Sequence, residues 1–181
     1  MNNKLIIIRG PSASGKTTLA NRLLNASKSK MVLIRQDDYR FIFSQTDEGS
    51  RANSELIHKM IEYNTSISLL AGYDVIIEGI LSNKSYQDIL ERLIASHKGE
   101  SFAFYFDLSF EETLIRHKTK SNVAHYGENE MRSWYSLSQR LNRDREYVIP
   151  EHMTEDQIYH RIVGITGLDV QETLKPSMTK I

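Results

Sequence analysis

Eight residues near the start, Gly10-Pro11-Ser12-Ala13-Ser14-Gly15-Lys16-Thr17, constrain this chain more than any others. With Thr18 behind them, they fit the spacing G-x-x-x-x-G-K-[ST] of a phosphate-binding P-loop. The flanks agree with the motif. Leu5-Ile6-Ile7-Ile8 reads as a buried strand running into the loop, and Leu19, Leu23 and Leu24 mark one face of a helix leaving it. Gly10 and Gly15 let the backbone turn sharply and come close to phosphate oxygens. The N–H groups from about Ser12 to Thr17 then point into one concavity at a helix N-terminus, where the dipole favours anions. Lys16 can reach the β- and γ-phosphates, and the Thr17 hydroxyl can bind Mg²⁺. The nucleotide contacts expected are therefore Gly10, Pro11, Ser12, Ala13, Ser14, Gly15, Lys16, Thr17 and Thr18, with Thr17 as metal ligand.

Past the first helix, the chain alternates between short apolar runs and helical patterns. Met31–Ile34 reads as a strand ending near Gln36, followed by Asp37-Asp38-Tyr39-Arg40. A polar stretch ends at Asn53, a candidate cap. Leu56, Met60, Tyr63, Ile67 and Leu70 then recur at helical spacing up to Gly72, with His58 as a surface or packing residue. Val75–Ile77 is a third strand with Glu78-Gly79 at its exit. Residues 84–98 read as a helix, with Ile89, Leu90, Leu93 and Ile94 on its apolar face. Phe102–Phe106 is a fourth strand, and Ser109 caps a helix with Glu112 at capping-box spacing. That helix ends in Arg116-His117-Lys118-Thr119-Lys120. Residues 118–128 read as an excursion, Glu130–Asn142 as a helix that Trp134 and Tyr135 pack, and Tyr147–Ile149 as a fifth strand stopped by Pro150. Thr154 caps a last helix, and the tail from Gly167 reads as a short helix or a frayed end. Alternating strands and helices imply a parallel sheet in one doubly wound α/β domain spanning residues 1–181.

In such sheets ligands bind outside the carboxyl ends of the strands. Asp37 and Glu78 occupy those ends, so both point toward the P-loop crevice. Phosphoryl transfer needs a phosphate cradle, a metal ligand, a group that takes the acceptor's proton, and cations over the transferring group. Asp37 is the candidate base, ahead of Asp38; the other role open to either is capping the next helix. Glu78 is a candidate to hold a metal-bound water or a substrate hydroxyl, or else is a solvated loop acid. Arg116, Lys118 and Lys120 are the candidate cations, with Arg40 on the acceptor side and Arg143 and Arg145 as lesser candidates. A basic helix end also serves simply to complement the helix dipole.

Lysine plus arginine and aspartate plus glutamate both number 23, so the formal net charge is zero. That disfavours a large nucleic-acid footprint. The chain has no cysteine, which excludes disulfides and thiolate metal sites. The apolar run after Met1-Asn2-Asn3-Lys4 is too short for a signal peptide, and no 18-residue apolar run is present. The expectation is a cytoplasmic protein, monomeric or homodimeric, without a membrane partner. Guanine signatures of the Asp-x-x-Gly and Asn-Lys-x-Asp type are lacking, Asn83-Lys84 being followed by Ser85-Tyr86. ATP is therefore favoured over GTP.

A P-loop joined to Asp37-Asp38-Tyr39-Arg40 at the second strand's end resembles the small P-loop kinases. These include the kinase domain of phage 5′-polynucleotide kinase, the zeta toxins and the chloramphenicol-phosphotransferase-like kinases. The resemblance spans roughly residues 4–150. It implies a three-layer, nucleoside-monophosphate-kinase-like fold with a five-stranded parallel sheet and a helical lid at about residues 116–130. It also implies that Asp37 is the general base, that Arg40 contacts the acceptor, and that lid cations, here Arg116 and Lys120, close over the phosphates. Polynucleotide kinases place Asp-Thr after the third strand, where this chain has Glu78-Gly79. The Ile-Glu-Gly-Ile-Leu segment and Phe-Glu-Glu-Thr-Leu followed by Arg-His look more like bacterial small kinases labelled uridine-kinase-like. The expected function is ATP- and Mg²⁺-dependent phosphorylation of a hydroxyl on a small molecule such as a nucleoside, a sugar or an antibiotic. The rivals are a polynucleotide 5′-hydroxyl kinase, a zeta-toxin-like nucleotide-sugar kinase, and an ATP-binding regulator with little transfer activity.

Overall fold

In the computed structural model of the protein, residues 3–43, 54–119, 127–135, 140–141 and 146–171 are described. The strands are β1 (Lys4–Arg9), β2 (Met31–Arg35), β3 (Asp74–Gly79), β4 (Glu100–Asp107) and β5 (Glu146–Pro150). Between them lie α1 (Lys16–Ala26), α2 (Gln36–Phe41), α3 (Ser54–Leu70), α4 (Asn83–Ser96), α5 (Phe110–Lys118) and α6 (Glu128–Trp134), with α7 (Glu155–Thr166) after β5. All strand pairs are parallel, in the order β2-β3-β1-β4-β5. The strand that feeds the P-loop is thus central, flanked by β3 and β4.

A strand turns successive side chains to opposite faces, and β1 shows why an unbroken apolar run was needed. Leu5 and Ile7 join Val75, Ile77, Ile57, Ile61, Leu90 and Leu93 in a core under α3 and α4. Ile6 and Ile8 join Phe104, Phe106, Leu19, Leu23, Ile158 and Ile162 in a second core under α1 and α7. Helices on both faces make three layers, the expected fold of the small P-loop kinases. Among the described residues, no helix is long and apolar enough to cross a membrane.

Several local expectations are sharpened or corrected. In α3 the buried stripe is Ile57, Ile61, Thr65 and Leu69, while Leu56, Tyr63, Ile67 and Leu70 face solvent. Thr65 masks the true stripe in the sequence. Its hydroxyl donates to the Ile61 carbonyl at 2.7 Å, so it is buried without an unmet hydrogen bond. Glu78 stands at the carboxyl end of β3, within the strand, and is buried, which removes the alternative of a solvated loop acid. Helix α6 starts at Glu128 and ends at Trp134, where Tyr135 turns extended (φ −77°, ψ 135°); residues 136–139 and 142–145 lie outside the described set. Residues 168–171 form no helix: Val170 bridges Ser27, and the Gln171 N–H donates to the Ala26 carbonyl at 2.7 Å. The Ser109 cap is present, its hydroxyl accepting from the Glu112 N–H, but the Glu112 carboxylate turns to Arg116 rather than closing a box. Asn53 and residues 172–181 also lie outside the described residues.

Candidate active site

The P-loop joins β1 to α1 through three residues with positive φ: Gly10 (145°), Ala13 (62°) and Gly15 (95°). At Gly10 a Cβ would stand 2.7 Å from the Phe106 carbonyl oxygen, so the loop lies against β4 at a distance only glycine permits. Ala13 occupies a conformation that costs a non-glycine residue about 1–3 kcal/mol, and such strain gathers at functional loops. Its methyl group is buried against Phe110 and Met131, which hold it there. The buried Lys16 ammonium donates to the Pro11 carbonyl at 2.6 Å and to the Ser14 hydroxyl at 3.1 Å. A positive charge is thereby fixed within the loop.

Beside it, the Thr17 hydroxyl donates to Glu78 Oε1 at 3.0 Å. Burial pushes the Glu78 carboxyl up from its ordinary range; the Lys16 charge and the Thr17 hydrogen bond oppose this, and Asp37 adds to it. Asp37 therefore lies within electrostatic reach of Glu78. It is in the first turn of α2, exposed, with Arg40 at 3.9 Å. Asp38 points elsewhere, to Arg35 at 2.8 Å. The Thr17 hydroxyl and the Glu78 carboxylate are hard oxygen donors of the kind that suit Mg²⁺.

Arg116 reaches the P-loop from α5. Its guanidinium donates to Glu112 at 2.6 Å, to the Ser14 carbonyl at 3.3 Å and to the Glu151 carbonyl at 2.7 Å. Lys118 is exposed at the end of the same helix. Lys120, Arg143 and Arg145 lie outside the described residues.

Of two cavities in this region, one borders the P-loop and the other adjoins α2. One, of about 270 Å³, is bounded by Ser14, Thr18, Phe106, Arg116, Met153 and Ile158. The other, of about 340 Å³, opens between α2, α3, α4 and α6, and its lining includes Arg40, His58, Lys84, Tyr86, Ser133 and Trp134. Both are of small-ligand scale. His58 is thus a wall residue, its ring edge-on to Tyr86 with centroids 4.4 Å apart. Burial, then the Arg40 charge, hold its imidazole below the ordinary range. Trp134 and Tyr135 also line this cavity, and Tyr135 packs on Phe110 and donates to the Leu108 carbonyl at 2.9 Å.

Gln36 fixes where α2 begins. Its amide donates to the Tyr86 hydroxyl at 3.1 Å and accepts from the Leu81 N–H at 3.3 Å, so α2, the β3 exit and α4 are tied together. Gly79 makes room for it, since a Cβ there would lie 2.5 Å from Gln36 Oε1. Gly79→Ala should therefore displace Gln36 and with it Asp37. Thermal unfolding should show a loss of about 1–3 kcal/mol, the usual range for overpacking.

A group absent from the sequence reading lies beneath the loop. Arg9, fully buried, donates to Glu146 at 3.1 Å and to Asn83 Oδ1 at 2.6 Å, and its guanidinium stands over the Tyr105 ring at 5.3 Å. Glu146 also accepts the Leu141 N–H at 2.7 Å. Burial raises the Glu146 carboxyl, and Arg9 opposes it. The available signal was a charged residue, Arg9, closing a wholly apolar strand.

A family model described as an AAA domain, AAA_33, matches residues 5–141. No curated protein matches the chain. Among solved structures, the Mycobacterium tuberculosis APS kinase CysC in complex with AMPPNP and APS superposes with a TM-score of 0.64 at 15% identity, covering 92% of this chain and 98% of that one. A gluconokinase from Sinorhizobium meliloti 1021 gives 0.60 at 14% identity, covering 91% of each. The Deinococcus radiodurans tunicamycin resistance protein gives 0.63 at 15% identity, covering 93% and 98%. These likenesses bear on the fold.

Proposed function

The chain belongs to the AAA_33 family, a P-loop kinase-like group of AAA domains, and from that membership we propose that it is an ATP- and Mg²⁺-dependent kinase acting on a hydroxyl of a small molecule. The observation that carries the proposal is a P-loop that borders one small-ligand cavity, with Asp37 at the start of α2 one helical turn from Arg40, which lines a second. The smaller cavity suits a nucleobase, since Thr18 and Arg116 bring it to the phosphate loop and Phe106, Met153 and Ile158 give it apolar walls. The larger one suits the acceptor. APS kinase and gluconokinase, proteins of similar fold named for small acceptors, agree with this division.

In the proposed reaction the acceptor oxygen bonds to the γ-phosphorus as the bond from that phosphorus to the β–γ bridging oxygen breaks. ADP leaves, and the hydroxyl proton passes to Asp37. Lys16 and Arg116 supply positive charge where negative charge gathers on the transferring group. Mg²⁺, held by Thr17 with Glu78 beside it, would neutralise charge on the phosphate oxygens.

Transfer of label from γ-labelled ATP to a panel of nucleosides, sugars and sugar acids tests the reading. Asp37→Asn should lower turnover by about 10²-fold, the lower end for losing a general base, while ATP affinity stays the same. Unchanged turnover would remove Asp37 from the mechanism.

A further inference from the structure

The cavity between α2, α3, α4 and α6 has a charge character that narrows the acceptor. Its described lining contains two permanent cations, Arg40 from α2 and Lys84 from α4, and no carboxylate. Even when Asp37 is counted against Arg40, Lys84 leaves the region positive. Lys84 makes no hydrogen bond or ion pair with the described residues. The Arg40–Asp37 contact is long, at 3.9 Å, so most of the guanidinium's five donors remain available. Ser54, Ser82 and Ser85 add hydroxyls, and the first turn of α4, whose Ser82 side chain does not cap it, faces the same space. Trp134, Tyr86 and Ile57 line the same cavity and give it aromatic and apolar surface.

We infer that the acceptor is a hydroxylated small molecule that carries an anionic group (phosphate, sulfate or carboxylate), held by Arg40 and Lys84 while the rest of the molecule lies against Trp134 and Tyr86. The inference deepens the kinase reading and rests on it. Arg40 links the two halves of the site. It is one helical turn from Asp37, so an anion bound at Arg40 sets the distance at which a hydroxyl on the same molecule meets the base. A neutral polyol lacks that handle.

The test compares matched acceptors in the labelled-ATP assay: ribose with ribose 5-phosphate, uridine with uridine 3′-monophosphate, and glucose with gluconate. The same compounds are titrated calorimetrically into protein saturated with Mg²⁺ and AMPPNP, so that free anions do not report on the P-loop. The expected result is a preference for the anionic member of at least one pair by about 100-fold in kcat/KM. Lys84→Gln and Arg40→Gln should each erode that preference about tenfold, through KM for Lys84→Gln, with AMPPNP affinity unchanged. Transfer to neutral members with equal or greater efficiency would leave the kinase reading standing and overturn this inference. Lys84-dependent binding of an anionic member without transfer to any compound would overturn the assignment of that anion to an acceptor and count against the kinase reading, leaving an anion-binding site. Absence of both transfer and anion binding would overturn the two together.

Discussion

Lys16→Met should reduce phosphoryl transfer by about 10³- to 10⁵-fold, the range measured when a cation over a transferring phosphoryl group is lost. Methionine keeps the length of the stem, and the side chain is buried, so packing in the loop is largely retained. What disappears is the charge held by the Pro11 carbonyl and the Ser14 hydroxyl. Those two acceptors hold the ammonium in position before any nucleotide arrives, so little reorganisation is left for the reacting complex. The same charge opposes the protonation of Glu78. Removing it should therefore also raise the Glu78 carboxyl further, which is measurable by carboxyl-resonance titration in the free protein. A variant that retains turnover within tenfold would show that another cation carries the transition-state charge.

Glu146→Ala should destabilise the protein by about 3–5 kcal/mol, the cost of stranding one partner of a buried ion pair. Both side chains are all but inaccessible to water, at 0% for Arg9 and 2% for Glu146. The loss would reach further than one contact. Glu146 begins the edge strand β5, accepts from Leu141, and anchors the arginine directly preceding Gly10. Urea denaturation should show a lower midpoint with an unchanged slope. Arg9→Met combined with Glu146→Leu should recover much of the loss, because an apolar pair of similar volume carries no desolvation cost. A single variant with wild-type stability would mean that the other contacts of Arg9, Asn83 and Tyr105 among them, compensate its charge.

The layers were legible because each relevant strand is buried on both faces, so Leu5–Ile8, Val75–Ile77 and Phe102–Phe106 stand out as apolar runs without knowledge of their partners. The P-loop was legible because its chemistry requires fixed residues at fixed spacing. What stayed hidden was the burial of polar side chains. Thr65 and Glu78 are polar and buried, one satisfied by its own helix and the other by Thr17, and neither bond is visible before the chain is folded. The cavity beside α2 was equally hidden, since His58, Lys84 and Trp134 come from three helices far apart in the chain. Arg9 and Glu146 are 137 positions apart, and no local pattern pairs them.

The central place of β1 also sets the order in which this protein can come into being. Leu5 pairs with Val75 on one side and with Ser101 on the other, so neither neighbour exists when the first strand leaves the ribosome. The most apolar segment of the chain and its nucleotide loop must wait through about a hundred residues of synthesis, roughly 5–20 seconds at ordinary elongation rates. During that wait Leu5–Ile8 is an open edge available to other nascent chains. Slowing translation between residues 10 and 107 should therefore lower the soluble yield more than slowing it after β4 is complete.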